Sequence, residues 1–236
     1  IGLTIPIPDV EWPKLLHEAM RRNEVGTDHA DAYLRITVSR GEGEIGLDPA
    51  LCPRPTVVIM TKALHPPSAQ LLRDGVSLTV AQTRRNLPAA LSPQIKSTNF
   101  LNNILAKREA IAAGTFDSLF LNWRDELTEC TISNLFFISD GTVHTPALDC
   151  GILDGITRSI IMTLAAEEDL PVREGYYHLT DLRKAEECFL TNTSIVVMAV
   201  SPVETYTIGD GRPGPLTRRL QARFAASRTR FLEAVP

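Results

Sequence analysis

The chain has 236 residues, 44% of them hydrophobic and 22% charged, ordinary values for a folded globular protein with a sizeable core. Its net charge of −4 and pI near 5.8 argue against a general nucleic-acid binder but leave room for a local positive site that takes small anions. No apolar run reaches the roughly 18 residues of a membrane span, and none of the four cysteines, Cys52, Cys130, Cys150 and Cys188, belongs to a C-x-x-C pair, so we expect no metal site and reduced, partly buried thiols in a cytoplasmic protein.

The opening Ile-Gly-Leu-Thr-Ile-Pro reads as an apolar run leaving an earlier element, so further residues are expected before Ile1. Asp9 and the following "VEWPKLLHEAMRRNE" predict a capped amphipathic helix with Leu15, Leu16 and Ala19 on one face and Pro13 in its first turn. "HADAYLRITVSRG" alternates and is rich in β-formers, predicting a strand that ends at Gly41; "PTVVIMTKAL" predicts a second. "HPPSAQLLRDG" is a Pro-rich polar break. The domain division expected is therefore a small α/β domain over 1–68, a linker over 69–75 and a large domain over 76–236.

"VSLTVAQTRR" opens the large domain as a strand, and a loop containing Pro88 and Pro93 leads to a helix over 99–113. That helix has Leu101, Ile104, Leu105 and Ala112 as apolar positions and Gly114 as its stop. "DSLFLNW" is a short strand, and "ISNLFFIS-DG-TVHTP" is a hairpin about an Asp-Gly turn, the strongest local signal in the chain. "GITRSIIMTLAAEEDLPV" predicts a helix carrying Ile156, Ile160, Ile161 and Leu164. "LTDLRKAEE" is a short helix, "CFLTNTS" and "VVMAVSPVE" are strands, and "GPLTRRLQARFAASRTRFLEA" closes as an amphipathic helix. Helices and strands alternate with hairpins, so the class is α/β or mixed α+β.

Four features carry chemistry. Lys96, in "IKSTNF", lies between an apolar approach and a helix. One lysine alone is most simply a surface charge, but a desolvated one is a nucleophile able to form a Schiff base. Glu129 follows 33 residues later, beside an apolar strand; a carboxylate facing a pyridine nitrogen keeps it protonated. "GILDGITRS" puts Gly155, Ile156 and Thr157 at a helix start, where free N–H groups and the helix dipole favour an anion. "FLTNTS" ends a strand with Thr191, Thr193 and Ser194. Taken singly, the last two are more simply an ordinary helix cap and a polar turn.

The order and spacing of these four resemble the fold-type IV, or class IV, PLP-dependent aminotransferases. That family includes branched-chain aminotransferases, D-amino-acid aminotransferases and aminodeoxychorismate lyases. The resemblance covers nearly the whole chain through "LRITVSRGEGEIGLDPALCPRPTVVI", "IKSTNFLNNILAKREA", "ECTISNLFFISDGTVHTPALDCGILDGITR" and "FLTNTS". It implies the two-domain fold-type IV architecture, pyridoxal 5'-phosphate as cofactor, amino-acid and 2-oxo-acid substrates, and a homodimer. By the same resemblance Lys96 is the Schiff-base lysine and proton shuttle, and Glu129 binds the pyridine nitrogen. Ile156, Thr157 and Thr193 bind the phosphate, and Leu153 packs on the ring face. Phe100 stands where family members often carry a tyrosine that bonds the cofactor's phenolic oxygen, and phenylalanine has no such donor. The family's phosphate-binding arginine is expected on a segment preceding Ile1.

Tyr33 and Arg35 match substrate-side positions of branched-chain enzymes, and alternation sets them on one strand face. Arg40 and Ser194 complete the candidate substrate residues, although for both arginines a strand charge or an internal ion pair is an open reading. The loop "GEGEIGLDP" lacks the arginine and histidine of D-amino-acid enzymes, whereas "FLTNTS" differs from the Thr-Gly-Thr of branched-chain enzymes and leans toward the lyases. The expectation is transamination of a branched-chain or similar apolar L-amino acid with 2-oxoglutarate. Aminodeoxychorismate lyase is the runner-up, a D-amino-acid aminotransferase is a further alternative, and a catalytically impaired structural homologue is the non-enzyme alternative.

Overall fold

The computed structural model describes residues 1–26 and 31–233, with side chains to residue 230 apart from residue 228. The chain forms two compact units, Ile1–Pro66 and Pro67–Pro236.

In the first unit, helix α1 (Trp12–Arg22) has Pro13 in its first turn and Leu15, Leu16 and Ala19 half-buried. Asp9 does not cap it. Asp9–Glu11 forms a separate 3-10 turn, and the residue at the helix start is Glu11. At the other end, Asn23 Nδ2 donates to the Ala19 carbonyl at 2.8 Å, satisfying a last-turn acceptor. Strands β1 (Ala32–Ser39) and β2 (Thr56–Ala63) pair antiparallel, with Ala32 opposite Ala63 and Ser39 opposite Thr56. His29 and Ala30, which the sequence reading put in the first strand, lie outside the described residues.

The second unit begins with helix α2 (Ala69–Asp74). This is a departure from the linker expected at 69–75. Ser68 Oγ accepts the Leu71 N–H at 3.2 Å and Gly75, at φ 77°, stops the helix. The break carried by Pro66 and Pro67 therefore ends at the cap. The unit continues through β3 (Val76–Val80), α3 (Leu101–Ala113), β4 (Asp117–Leu121), β5 (Leu127–Cys130), β6 (Asn134–Ser139), β7 (Thr142–Pro146), α4 (Ile156–Glu167), β8 (Val172–Gly175), α5 (Leu179–Leu182), β9 (Glu187–Asn192), β10 (Val196–Val203) and α6 (Pro215–Glu233). Its sheet runs β5-β4-β3-β10-β9-β6-β7-β8, and a further β5–β6 pairing closes the first six of these into a ring. The β3–β4, β3–β10 and β7–β8 pairings are parallel and the rest antiparallel, so the class is mixed α/β, as expected.

Alternation sorts the side chains into two cores. One face of the ring strands carries Leu78, Leu119, Leu135, Phe137, Leu190 and Met198. The other carries Phe136, Ile138, Phe189 and Val197, packed against Ile161 and Leu164 of α4 and Leu220 of α6. Asp140 and Gly141, both at positive φ (49° and 66°), make the tight turn between β6 and β7. Helix α3 ends at left-handed Gly114, as its sequence indicates, but not with the expected buried face. Ala106 and Ala110 are buried against β4, while Leu101, Ile104, Leu105 and Ala112 are exposed. Small residues let the helix approach the sheet closely, and Phe120 fills the space beneath Ala106. Ile156, expected on the apolar face of α4, is 80% exposed at the helix start.

The four cysteines are free thiols, and Cys130, Cys150 and Cys188 are buried. Burial pushes the Cys150 thiol up to about 11 and also raises those of Cys130 and Cys188. Among the described residues no helix is long and apolar enough to cross a membrane, and no cluster of three metal-ligating side chains occurs.

Candidate active site

Glu129 is the fixed point of the site. It lies on β5 opposite Asn134 of β6, which in turn lies opposite Thr191 of β9. Cross-strand partners share a face, so carboxylate, amide and hydroxyl line the end of the sheet face that packs on α4. Glu129 is only 5% exposed. Its Oε2 accepts from Asn134 Nδ2 and from the Leu153 N–H, both at 3.0 Å. Its Oε1 accepts from Arg85 Nη2 at 2.5 Å. Burial raises the carboxyl from 4.5 to about 7, while the Arg85 guanidinium, the Leu153 N–H and the Lys96 charge hold it down. Its hydrogen-bond partners among the described residues are all donors, which favour the ionised form against the burial that disfavours it. Each carboxylate oxygen can accept two hydrogen bonds, which leaves one acceptor position open on Oε1.

The start of α4 is brought in beside this carboxylate. Asn134 Nδ2 also donates to the Leu153 carbonyl at 2.8 Å, holding the segment that enters the helix. Gly155 precedes the helix, and a Cβ there would overlap Asn134 Oδ1, so only glycine admits this approach. No side chain caps α4. The N–H groups of Ile156, Thr157 and Arg158 have no acceptor within the helix, and they present the positive end of its dipole. Thr157 is 8% exposed. Thr191 is 1% exposed, and among the described residues its hydroxyl has no hydrogen-bond partner. A buried unpaired hydroxyl, an uncapped helix start and a carboxylate with a spare acceptor position are complementary to a phosphate and a protonated ring nitrogen.

The structure does not gather every residue expected here. Leu153, Ile156 and Thr157 lie at and just before the start of α4. Thr193 and Ser194 lie in the β9–β10 turn; Thr193 is exposed, and the Ser194 N–H donates to Asn192 Oδ1 at 2.8 Å. Lys96 sits in the loop between β3 and α3, exposed, rather than at the helix junction, since α3 starts at Leu101. Phe100 immediately precedes that start and is 37% exposed. In the first unit, Tyr33 and Arg35 share a β1 face, with Lys62 Nζ 5.0 Å from the Tyr33 ring centre. Arg40 instead donates to the carbonyls of Ile1 and Gly2, a structural role on that unit.

Sequence reasoning missed Arg85, Asn134 and Asn192. Arg85 is buried and holds Glu129, although an arginine in "QTRRN" would ordinarily be solvated. The one available signal was its position five residues after the end of an apolar strand, Val80. Asn192 builds the β9–β10 turn: its Oδ1 accepts the Ser194 and Ile195 N–H groups and its Nδ2 donates to Ser133 Oγ at 2.9 Å.

Comparison with known proteins places the chain in a family. The family model described as amino-transferase class IV matches residues 1–203. A protein of Methanocaldococcus jannaschii, provisionally named a branched-chain-amino-acid aminotransferase, is 33% identical over 229 residues, 97% of this chain and 77% of its own. D-alanine aminotransferase of Listeria monocytogenes is 32% identical over 231 residues, 98% of this chain and 77% of its own. Aminodeoxychorismate lyase of Bacillus subtilis is 31% identical over 211 residues, 89% and 70% respectively. Among solved structures, the T.th. branched-chain amino acid aminotransferase with pyridoxamine 5'-phosphate superposes with a TM-score of 0.88 at 27% identity, covering 94% of this chain and 72% of that one.

Proposed function

The chain belongs to the class IV aminotransferases, which are PLP-dependent, and from that premise we propose that it transfers the amino group of a branched-chain or similar apolar L-amino acid to 2-oxoglutarate. The observation that carries the reading is Glu129, a buried carboxylate surrounded by donors with one acceptor position left on Oε1. In this reading that position takes the ring N–H. The free N–H groups of the α4 first turn, with the hydroxyls of Thr157 and Thr193, take the phosphate. Leu153 covers a ring face. Lys96 Nζ holds the cofactor at its aldehyde carbon. PLP, when bound, supplies an electron sink for the pair released at the substrate α-carbon. With the substrate amine in its place on the cofactor, Lys96 Nζ would be free to take the proton from the α-carbon and deliver it at the former aldehyde carbon, general acid–base catalysis by one group. Glu129 keeps the ring nitrogen protonated throughout.

Tyr33 and Arg35 support the substrate side of the proposal, since a guanidinium grips a carboxylate through two parallel bonds. The absence of arginine and histidine from "GEGEIGLDP" counts against a D-amino acid. One observation favours the lyase instead: Asn192, not glycine, forms the turn that carries Thr193 and Ser194. The exposed apolar stripe Leu101, Ile104 and Ile111 on α3 supports a homodimer, and the free thiols support a cytoplasmic setting.

A substrate panel with the PLP-loaded protein tests the proposal. Leucine, isoleucine and valine should give glutamate from 2-oxoglutarate, with D-alanine inactive. Pyruvate release from aminodeoxychorismate without an amino acceptor would instead establish the lyase. Protein that stays colourless after PLP is added would remove both.

A further inference from the structure

The loop carrying Lys96 and the carboxylate of Glu129 share an anchor that the proposed chemistry does not use. Arg85 ends the β3 approach, and the segment 86–100 that follows it contains Lys96 and closes at α3. Arg85 is 8% exposed, and its side chain reaches in three directions. Its Nη2 donates to Glu129 Oε1 at 2.5 Å, its Nε to the Gly151 carbonyl at 3.1 Å, and its Nη1 to Asn103 Oδ1 at 3.3 Å and Asn102 Oδ1 at 3.5 Å. Asn102 Nδ2 returns a bond to the Arg84 carbonyl at 2.8 Å, and Asn103 Nδ2 one to the Thr131 carbonyl at 2.6 Å. The two ends of the loop are thus tied across its base, and the tie runs through the group that holds Glu129.

We propose that Arg85 is a positioning residue that sets Glu129 and the Lys96 loop together, favouring the ionised carboxylate while clamping the loop's base. The inference rests on the roles proposed above for Glu129 and Lys96. The guanidinium suits both tasks. It keeps its charge at all working pH values, and its planar fork makes several bonds at fixed angles, which a lysine cannot reproduce. Its charge beside a buried carboxylate offsets part of the desolvation cost of ionising that group. Its bonds to Asn102 and Asn103 remove freedom from the loop without touching Lys96.

The test uses the full chain and two variants. The protonated-carboxyl infrared band, identified as the one lost in Glu129→Gln, is followed against pH in the cofactor-free protein. In Arg85→Gln the band should persist to a pH at least about one unit higher than in the parent, a tenfold weaker acid, and the pH profile of PLP binding should move with it. Arg85→Lys keeps the charge but loses the fork. Its carboxyl should titrate with the parent's while proteolysis within 87–99 accelerates about tenfold, as an untied loop opens more often. A parent-like titration in Arg85→Gln, or parent-like cleavage in Arg85→Lys, overturns the proposal. If Arg85→Gln fails to fold, Arg85→Lys decides by itself. Both readouts are independent of turnover. A parent protein that takes no PLP at Lys96 would remove the proposed function and leave the Arg85 result standing on its own evidence.

Discussion

At the scale of single residues, Glu129 is the buried carboxylate of the candidate site, and burial raises its carboxyl. Its folded value of about 7 lies above the ordinary 4.5, so between those values the folded chain holds a proton that the unfolded chain has released. By linkage, this group's contribution to stability is fully present below about pH 4.5 and is lost as pH rises through about 7. The stability of the parent relative to Glu129→Gln should therefore fall across that window in denaturant titrations. A difference that is flat, or that rises with pH, contradicts the assignment. Gly155 gives a second residue-scale prediction. Gly155→Ala forces Asn134 off its bonds to Glu129 and Leu153 and should cost about 1–3 kcal/mol, as overpacking does, measurable by chemical denaturation. Glu129, Thr157 and Lys96 were named as candidates from the family-like order and spacing of their motifs along the chain. Arg85 was not, because its burial depends on a tertiary partner 44 residues away, and no local pattern announces such a pair.

At the scale of elements, α3 shows where packing overrides pattern. Leu101, Ile104 and Leu105 look like a core stripe in the sequence, yet the buried contacts are Ala106 and Ala110. Ala106→Leu should push the helix off β4 and destabilise the chain by about 1–3 kcal/mol, whereas Arg108→Ala, at an exposed position of the same helix, should cost far less. Equal effects in thermal melts would refute this packing. The Asp140–Gly141 hairpin and the Gly114 stop were readable because both rest on left-handed backbone that few residues adopt. Strand β5 was not separable from its neighbour. Its four residues include buried Thr128 and Glu129 and show no alternation. Strand β8, "VREG", has too few apolar residues to announce itself. Helix α2 was hidden by the prolines that precede its cap.

At the scale of the whole molecule, what the sequence and the fold agree on is a PLP enzyme with two compact units. A ligand that binds only the folded chain stabilises it by mass action. Millimolar PLP should therefore raise the melting temperature of the parent and raise it less in Glu129→Gln. Light scattering of the purified protein should report the mass of a dimer. The most direct test of the central claim is borohydride reduction in the presence of PLP followed by peptide mass spectrometry. The account predicts one phosphopyridoxyl adduct, on Lys96, and none in Lys96→Ala. An adduct on another lysine, or one that survives Lys96→Ala, would contradict it.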